Sequence, residues 1–346
     1  MPEDMKDPQT HLIDRLRTCA MYQPAGTILT DEALRDELRK LVLRKPYRKW
    51  KAQARFLERL EYALTHSLTH HEPLRFRLWF GGYKLWRFTT APTVDWAEFF
   101  MLAYYLEYLA PIAALHPHGV ELVFSSDEVF VERLNNIPQK DTEAYTHSFK
   151  QLITYFQQYH GTHISIQYRL NRHELGDEAS FEKGFQAAVE QIRPIWTSQR
   201  TPEQLEKDLS SSWLNIRFSG GSTELSHLSE DQRRVKALES LLLHDALGVF
   251  ENKILTDDHP EYISIFPTGE FADTLGLGTT KNSMAKFWVG TGVLERHSDG
   301  HFSERILTWK QYSALEKGTF DILDVSGVLP EKQFNEIIVL HQPLSF

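Results

Sequence analysis

The sequence predicts an α/β fold: a Rossmann-like, mainly parallel sheet with flanking helices, a helical N-terminal segment and a hairpin-containing C-terminal part. Three observations carry this. Short strand-like runs (LRFRLWF, GVELVF and THISIQYRL) alternate with long helical patterns between residues 74 and 170, the spacing of parallel strands joined by crossover helices. Residues 30–72 are helical in pattern. Ser298-Asp299-Gly300 separates two strand-like runs, a hairpin signal. The expected organisation is a helical segment over 1–72, an α/β domain over 73–308 and a C-terminal segment over 309–346 packing on it.

In chain order, TDEALRDELRKLVL opens with Thr30 as a plausible cap, Pro46 interrupts, and RKWKAQARFLERLEYALTHSL continues as helix. LRFRLWF (74–80) alternates basic and apolar residues, and Gly81-Gly82 breaks it just before Lys84. TVDWAEFFMLAYYLEYLAPIAAL carries an Asp95-x-x-Glu98 capping box and a broad apolar surface, which predicts a well-buried helix. His116-Pro117-His118-Gly119 stops it, and GVELVF is a strand ending in the turn-like SSDE. Asp141 is placed to cap TEAYTHSFKQLITYFQQY, which ends at His160-Gly161 ahead of the strand THISIQYRL. Residues 177–212 are mostly helical and charged, SGGSTELS (219–226) is a linker candidate, and EDQRRVKALESLLLHDALGVFENKI is a long helix leading to the strand YISIF.

Composition narrows the function. The 346 residues suffice for a full core, with 41% hydrophobic and 25% charged residues, ordinary globular values. A net charge of −9 argues against nucleic-acid binding by bulk attraction. The single cysteine, Cys19, excludes a disulfide framework and cysteine-based zinc or iron–sulfur sites. No apolar run approaches the ~20 residues of a membrane span, and MPEDMKDPQTHL lacks signal-peptide character. The expectation is a cytoplasmic protein.

Right-handed crossovers bring the carboxyl ends of the strands to one rim, where ligands sit in open α/β sheets. This predicts Lys84, Asp127 and Arg172 along that rim. Lys84 suits a phosphate or carboxylate, or acts as a base if desolvated. Ser126 and Asp127 can hold an amine or hydroxyl, with Asn135 and Asn136 on the returning loop; a simple turn cap is an equal account of Asp127. Gly276-Leu277-Gly278-Thr279-Thr280-Lys281 lacks Walker spacing, although its backbone, hydroxyls and Lys281 can cradle a phosphate. FADTLGL, GTT, KNSMAKFWVGTG and the hairpin also follow the order of a winged helix, with Lys281, Lys286, Arg296 and Arg305 offset by Glu295, Asp299 and Glu304. His66, His70 and His71, like His160 and His163, lack a matching carboxylate and read as solvated or capping residues. The basic stretch 39–55 reads as surface. There is no G-x-S-x-G elbow.

The ordered motifs resemble the isonitrile (isocyanide) synthases of the pyoverdine and dityrosine biosynthesis type. PLRFRLWFGGYK matches that family's strand and F-P-F-K turn, with Phe80 and Lys84 at the corresponding places. APTVDWAE opens the long helix, GVELVFSSDEVF supplies Ser126, Asp127, Val129 and Phe130, and DTEAYTHSF supplies the tyrosine-containing helix. YISIFPTG keeps Ser264, Ile265 and Pro267 of a Ser-Ile-His-Pro strand, KFWVG keeps Trp288, and HSDGHF keeps the hairpin. The likeness spans residues 70–310. The departures are Phe266 and Val289, where the family has histidines, and Glu128, where it has glycine. The resemblance implies an enzyme joining an L-amino acid, aromatic favoured, to a carbon from ribulose 5-phosphate, with no metal or redox cofactor. It implies Lys84, Asp127 and Tyr83 as catalytic residues, and Ser126, Arg172, Ser264, Thr268, Lys281 and Trp288 as substrate-binding residues. His297 and His301 are further candidates for the missing proton shuttle. The expected partners are the small-molecule substrates, with no membrane and no nucleic acid; a homodimer is left open. A DNA-binding or regulatory protein and a catalytically inactive homologue are the alternatives.

Overall fold

The structure, a computed structural model, describes residues 7–17, 29–80, 92–126, 128–134, 137–159, 163–218, 227–266, 272–278 and 290–344. Strands β1 (Leu74–Phe80), β2 (Val120–Ser126), β3 (Ile164–Leu170) and β4 (Tyr262–Ile265) form a parallel sheet in the order β3-β2-β1-β4. The chain moves outward from β1 to β3, then returns to place β4 on the other side of β1. That reversal makes the β1/β4 boundary the topological switch point of the sheet.

The two faces of the sheet follow from strand periodicity. Leu74, Phe76, Leu78 and Phe80 of β1 join Val120, Leu122 and Phe124 of β2 in the main core. Helices α1 (Pro8–Arg17), α2 (Asp31–Val42), α3 (Ala54–His70), α4 (Trp96–Leu115) and α6 (Gln139–Tyr159) contribute to this core; the short α5 (Glu128–Leu134) follows β2. The alternate residues Arg75, Arg77 and Trp79 face the other way. Trp79 packs against a second cluster built by α8 (Glu178–Ile192) and α10 (Glu230–Asn252). In the chain, α9 (Pro202–Phe218) falls between these two helices and packs on α10, and the single turn α7 (Asn171–Glu174) follows β3 directly.

Helix α4 behaves as its sequence dictates. Asp95 accepts from the Ala97 N–H at 2.7 Å, and Glu98 accepts from the Asp95 N–H at 2.8 Å, completing the expected capping box. The buried Glu98 carboxylate also accepts from the Tyr145 hydroxyl at 3.0 Å. By length and composition α4 could cross a membrane, which corrects the expectation that no run reaches that size; 78% of its most apolar window is buried inside the protein. It is packed as the central helix of a core.

A second sheet, in the order β6-β5-β8-β7, is made by β5 (Gly290–Arg296), β6 (Phe302–Thr308), β7 (Phe320–Asp324) and β8 (Glu336–Leu340). Its β5–β6 pair is the expected hairpin, with Gly300 at φ 86°. Gly292 is required there: a Cβ would lie 2.3 Å from the Trp96 carbonyl carbon at the start of α4.

Three local expectations are corrected. Asp141 lies inside the first turn of α6, which starts at Gln139. Residues 48–53 are not helix, because Arg48 bridges to Leu277 and the Lys49 N–H donates to the Gly276 carbonyl at 2.8 Å. Residues 272–277, the described part of FADTLGL and read as the first helix of a winged helix, are bridged to β4 through Leu275 and to Arg48 through Leu277. The hairpin that would serve as wing is part of a four-stranded sheet, so the described residues do not form that motif.

Candidate functional site

The carboxyl ends of the parallel strands carry a dense polar cluster. On the second face, Arg77 is 2% exposed and pairs with Glu174 at 3.2 Å. Glu174 also accepts from Ser125 Oγ at 3.2 Å and lies 3.5 Å from Arg169. The Arg77 guanidinium sits 4.2 Å over the Tyr262 ring. Burial pulls its pKa below the ordinary guanidinium value, opposed by the Glu174 charge. Glu128, buried at the start of α5, uses its carboxylate to accept the Asn171 N–H at 3.1 Å and the Arg172 N–H at 2.9 Å. It thereby fixes the turn from β3 into α7, and this is what the residue at the family's glycine position does here.

The sequence-predicted residues divide in two. Lys84, Tyr83, Asp127, Thr268, Lys281 and Trp288 lie outside the described residues, as do Asn135, Asn136, His160, Lys286 and Val289. Ser126 and Arg172 stand at the ends of the adjacent strands β2 and β3. Ser126 Oγ accepts from the Tyr168 hydroxyl at 2.9 Å. Arg172 donates to Glu128 at 3.2 Å and Glu132 at 2.8 Å. Burial alone would lower the Arg172 pKa, but those two carboxylates outweigh it and hold it above the ordinary value. Ser264 is two strands away from Ser126, on β4 beside Arg77. Its buried Oγ has no hydrogen-bond partner among the described residues.

A cavity of about 720 Å³ opens at the switch point. Trp79 near the end of β1 and Phe266 just past β4 form one wall. The other comes from α10, where His244, Gly248 and Glu251 follow i, i+4, i+7 spacing and share a face. Gly248 sits mid-helix, where a glycine costs about 1 kcal/mol relative to alanine. A Cβ added there would meet nothing within 4 Å among the described residues, so they leave room where a side chain would stand. Arg200, Lys207 and Asp208 close one side, Asp273 and Thr274 another. Thr274 Oγ1 is buried without a hydrogen-bond partner among the described residues.

The charges around this cavity are organised in pairs. Arg200 pairs with Asp208 at 3.2 Å and with Asp245, and stacks 4.6 Å over Trp196. Burial would raise the Asp245 pKa, but hydrogen bonds from His244, Trp196 and Arg200 hold it below the usual carboxylate range. Glu251, 6% exposed, accepts from Asn171 Nδ2 at 2.7 Å and so ties α10 to the strand rim. Asp273 lies 3.5 Å from Arg59. His297 and His301, the candidate proton shuttles, stack on each other at 4.0 Å on the β5–β6 turn and do not line the cavity.

None of the residues from α9 and α10 was singled out from sequence. The signal was a lone mid-helix glycine one turn after a histidine, in a segment otherwise read as ordinary helix. The predicted rim lay along β1, β2 and β3, whereas the cavity lies where β4 joins β1.

Fold and cavity together define a mixed α/β protein with a ligand-sized hollow at the switch point of a parallel sheet. Among solved structures, the chain is similar to the crystal structure of the PvcA protein from Pseudomonas aeruginosa, with a TM-score of 0.59 and 16% sequence identity. The match covers 89% of this chain and 99% of that one. The chain therefore shares the fold of PvcA at a distant level. No family model and no curated protein matches the chain.

Proposed function

We propose that the protein is an isonitrile-synthase-like biosynthetic enzyme of the cytoplasm that condenses an L-amino acid, aromatic favoured, with a phosphosugar ketone such as ribulose 5-phosphate. The observation that carries this reading is the cavity at the β1/β4 switch point of a fold shared with PvcA over nearly the whole of both chains. Its supporting pattern is the motif order read from sequence. Trp79 and Phe266 offer ring surfaces to an aromatic side chain, and Arg200 and Lys207 bring positive charge for phosphate or carboxylate. In this reading residues 73–308 form the catalytic part. Lys84, Asp127 and Tyr83 act on the reacting groups, while Ser126, Arg172, Ser264, Thr268, Lys281 and Trp288 hold the substrates.

The test is incubation with a panel of amino acids and sugar phosphates, followed by mass spectrometry. A product combining amino-acid nitrogen with one sugar carbon is expected. Calorimetry with tyrosine and ribulose 5-phosphate should show binding that Lys84→Ala weakens severely; no heat from either class overturns the reading. A second reading, a catalytically inactive homologue, is favoured by Phe266. That ring has no proton to exchange and lines the cavity where the family motif has histidine. Turnover by the isolated chain refutes it.

A further inference from the structure

We propose that Gly248 sets which side chains the switch-point cavity accepts: its missing side chain opens a slot for a flat, ring-sized group between α10 and Trp79. The inference rests on the reading of this cavity as the substrate site, and it names the class of group that the site selects.

Gly248 lies within α10, ahead of the capping residue Lys253, and keeps a helical backbone rather than a left-handed one. Neither a helix end nor a positive φ therefore requires a glycine there. Close packing does not require it either. The glycine of α8, Gly184, is explained by its neighbour, because a Cβ there would lie 2.2 Å from the Phe250 ring of α10. At Gly248 a Cβ would meet nothing within 4 Å among the described residues. A mid-helix glycine is destabilising relative to alanine. The use that fits this position is the close approach of a ligand to bare backbone.

The surroundings of Gly248 define the shape of that ligand. Its flanking residues Leu247 and Val249 line the cavity with it, as do Ile192 of α8 and Trp79 and Phe266 from the sheet. Trp79 packs against the cluster that Ile192 and Leu247 help to build, so the indole stands close to this stretch of α10. These walls are apolar, whereas Gln199, Arg200, Lys207 and Asp208 make another side of the cavity polar. A group held between an aromatic side chain and a helix backbone without a Cβ must be thin. A planar ring gains contact with Trp79 that a branched aliphatic chain does not. The polar side receives the ionic remainder of the same molecule. A compound with a ring at one end and charge at the other, such as an aromatic amino acid, satisfies both. A methyl or isopropyl group at position 248 occupies the slot from the helix side, so it changes discrimination by size rather than affinity in general.

The experiment is calorimetry with indole, L-tryptophan, L-tyrosine, L-leucine and L-alanine on wild-type, Gly248→Ala and Gly248→Val proteins, run beside the condensation assay. Circular dichroism and thermal unfolding report the fold of each variant. Wild type is expected to bind the ring-bearing probes more tightly than leucine or alanine. Gly248→Val should weaken indole, tryptophan and tyrosine about 10-fold or more, and leucine and alanine by less than about threefold. Gly248→Ala, which favours the helix, should give the same order at smaller amplitude, so the test does not depend on the valine variant folding. A change in helix stiffness alone moves every probe alike. Equal losses for all probes, ring binding unchanged in both variants, or wild-type protein that binds no ring-bearing probe overturns the proposal. Indole binding that Gly248→Val abolishes, in a protein that binds no amino acid, supports the slot and removes the amino-acid reading. Condensation product formed with the same preference among amino acids in wild type and Gly248→Val removes the slot and keeps that reading.

Discussion

Lowering the pH from 7.5 to 4.5 should remove about 2.5 kcal/mol of stability through one residue, His116. This histidine caps α4, is 2% exposed, and is satisfied in its neutral form. The His118 N–H donates to Nδ1 at 3.2 Å, and Nε2 lies 3.1 Å from Ser67 Oγ, whose own proton goes to the Leu64 carbonyl. Protonating Nδ1 would set a donor against a donor. Burial first, and the neighbouring His118 second, push the His116 pKa from 6.5 down to about 4. Because the folded pKa is depressed, the unfolded chain binds the extra proton first. The stabilisation is therefore present above pH 6.5 and is lost progressively as pH falls toward 4, reaching about 3 kcal/mol in total. Urea unfolding followed by circular dichroism across this range, on wild type and His116→Gln, isolates the contribution from other titrating groups. The wild-type curve should fall more steeply than that of the variant by the amount stated. Parallel curves would refute the argument.

Other outcomes follow from the geometry. Gly248→Ala should stabilise the protein by about 0.5–1 kcal/mol in thermal unfolding, since the added Cβ meets nothing among the described residues. Gly248→Trp should keep the circular dichroism spectrum but abolish calorimetric binding of tyrosine or ribulose 5-phosphate by filling the hollow; unchanged binding would show the cavity is not the site. Arg77→Met should cost about 1–3 kcal/mol in chemical denaturation, because Glu174 loses its most buried partner but keeps Arg169 at 3.5 Å and Ser125. Gly292→Ala should cost about 1–3 kcal/mol, since the clash is with the backbone of Trp96, which a side-chain rotation cannot relieve.

Much of the parallel sheet was legible because its signals are local. The strands at 74–80, 120–126 and 164–170 and the Asp95–Glu98 capping box were each encoded within one short window. What was not legible depends on partners far along the chain. Residues 48–53 have a helical composition, but their backbone groups are claimed by Gly276 and Leu277, more than 200 residues later. The same pairing holds Leu275 and Leu277 in bridges, against the expectation of helix there. Strand order is equally non-local: nothing in YISIF says that it pairs with β1 rather than β3. The candidate site was missed for that reason. Placing the last strand beside the first moves the crevice from the β1–β2–β3 rim to the ends of β1 and β4, and brings the His244 face of α10 over it. Ser126 stands at the end of β2 and Arg172 just past β3 in α7, where they are engaged by Tyr168, Glu128 and Glu132.

The second sheet has a consequence for synthesis on the ribosome. Strand β8 lies between β5 and β7, and Trp96 Nε1 donates to the Glu336 carbonyl at 2.7 Å. Translation therefore delivers β5, β6 and β7 before the strand that joins them exists. Until residues 336–340 leave the exit tunnel, β5 keeps one bare side and β7 has nothing to zip onto. A nascent chain paused after residue 324 offers two unsatisfied strand borders to any neighbouring polypeptide.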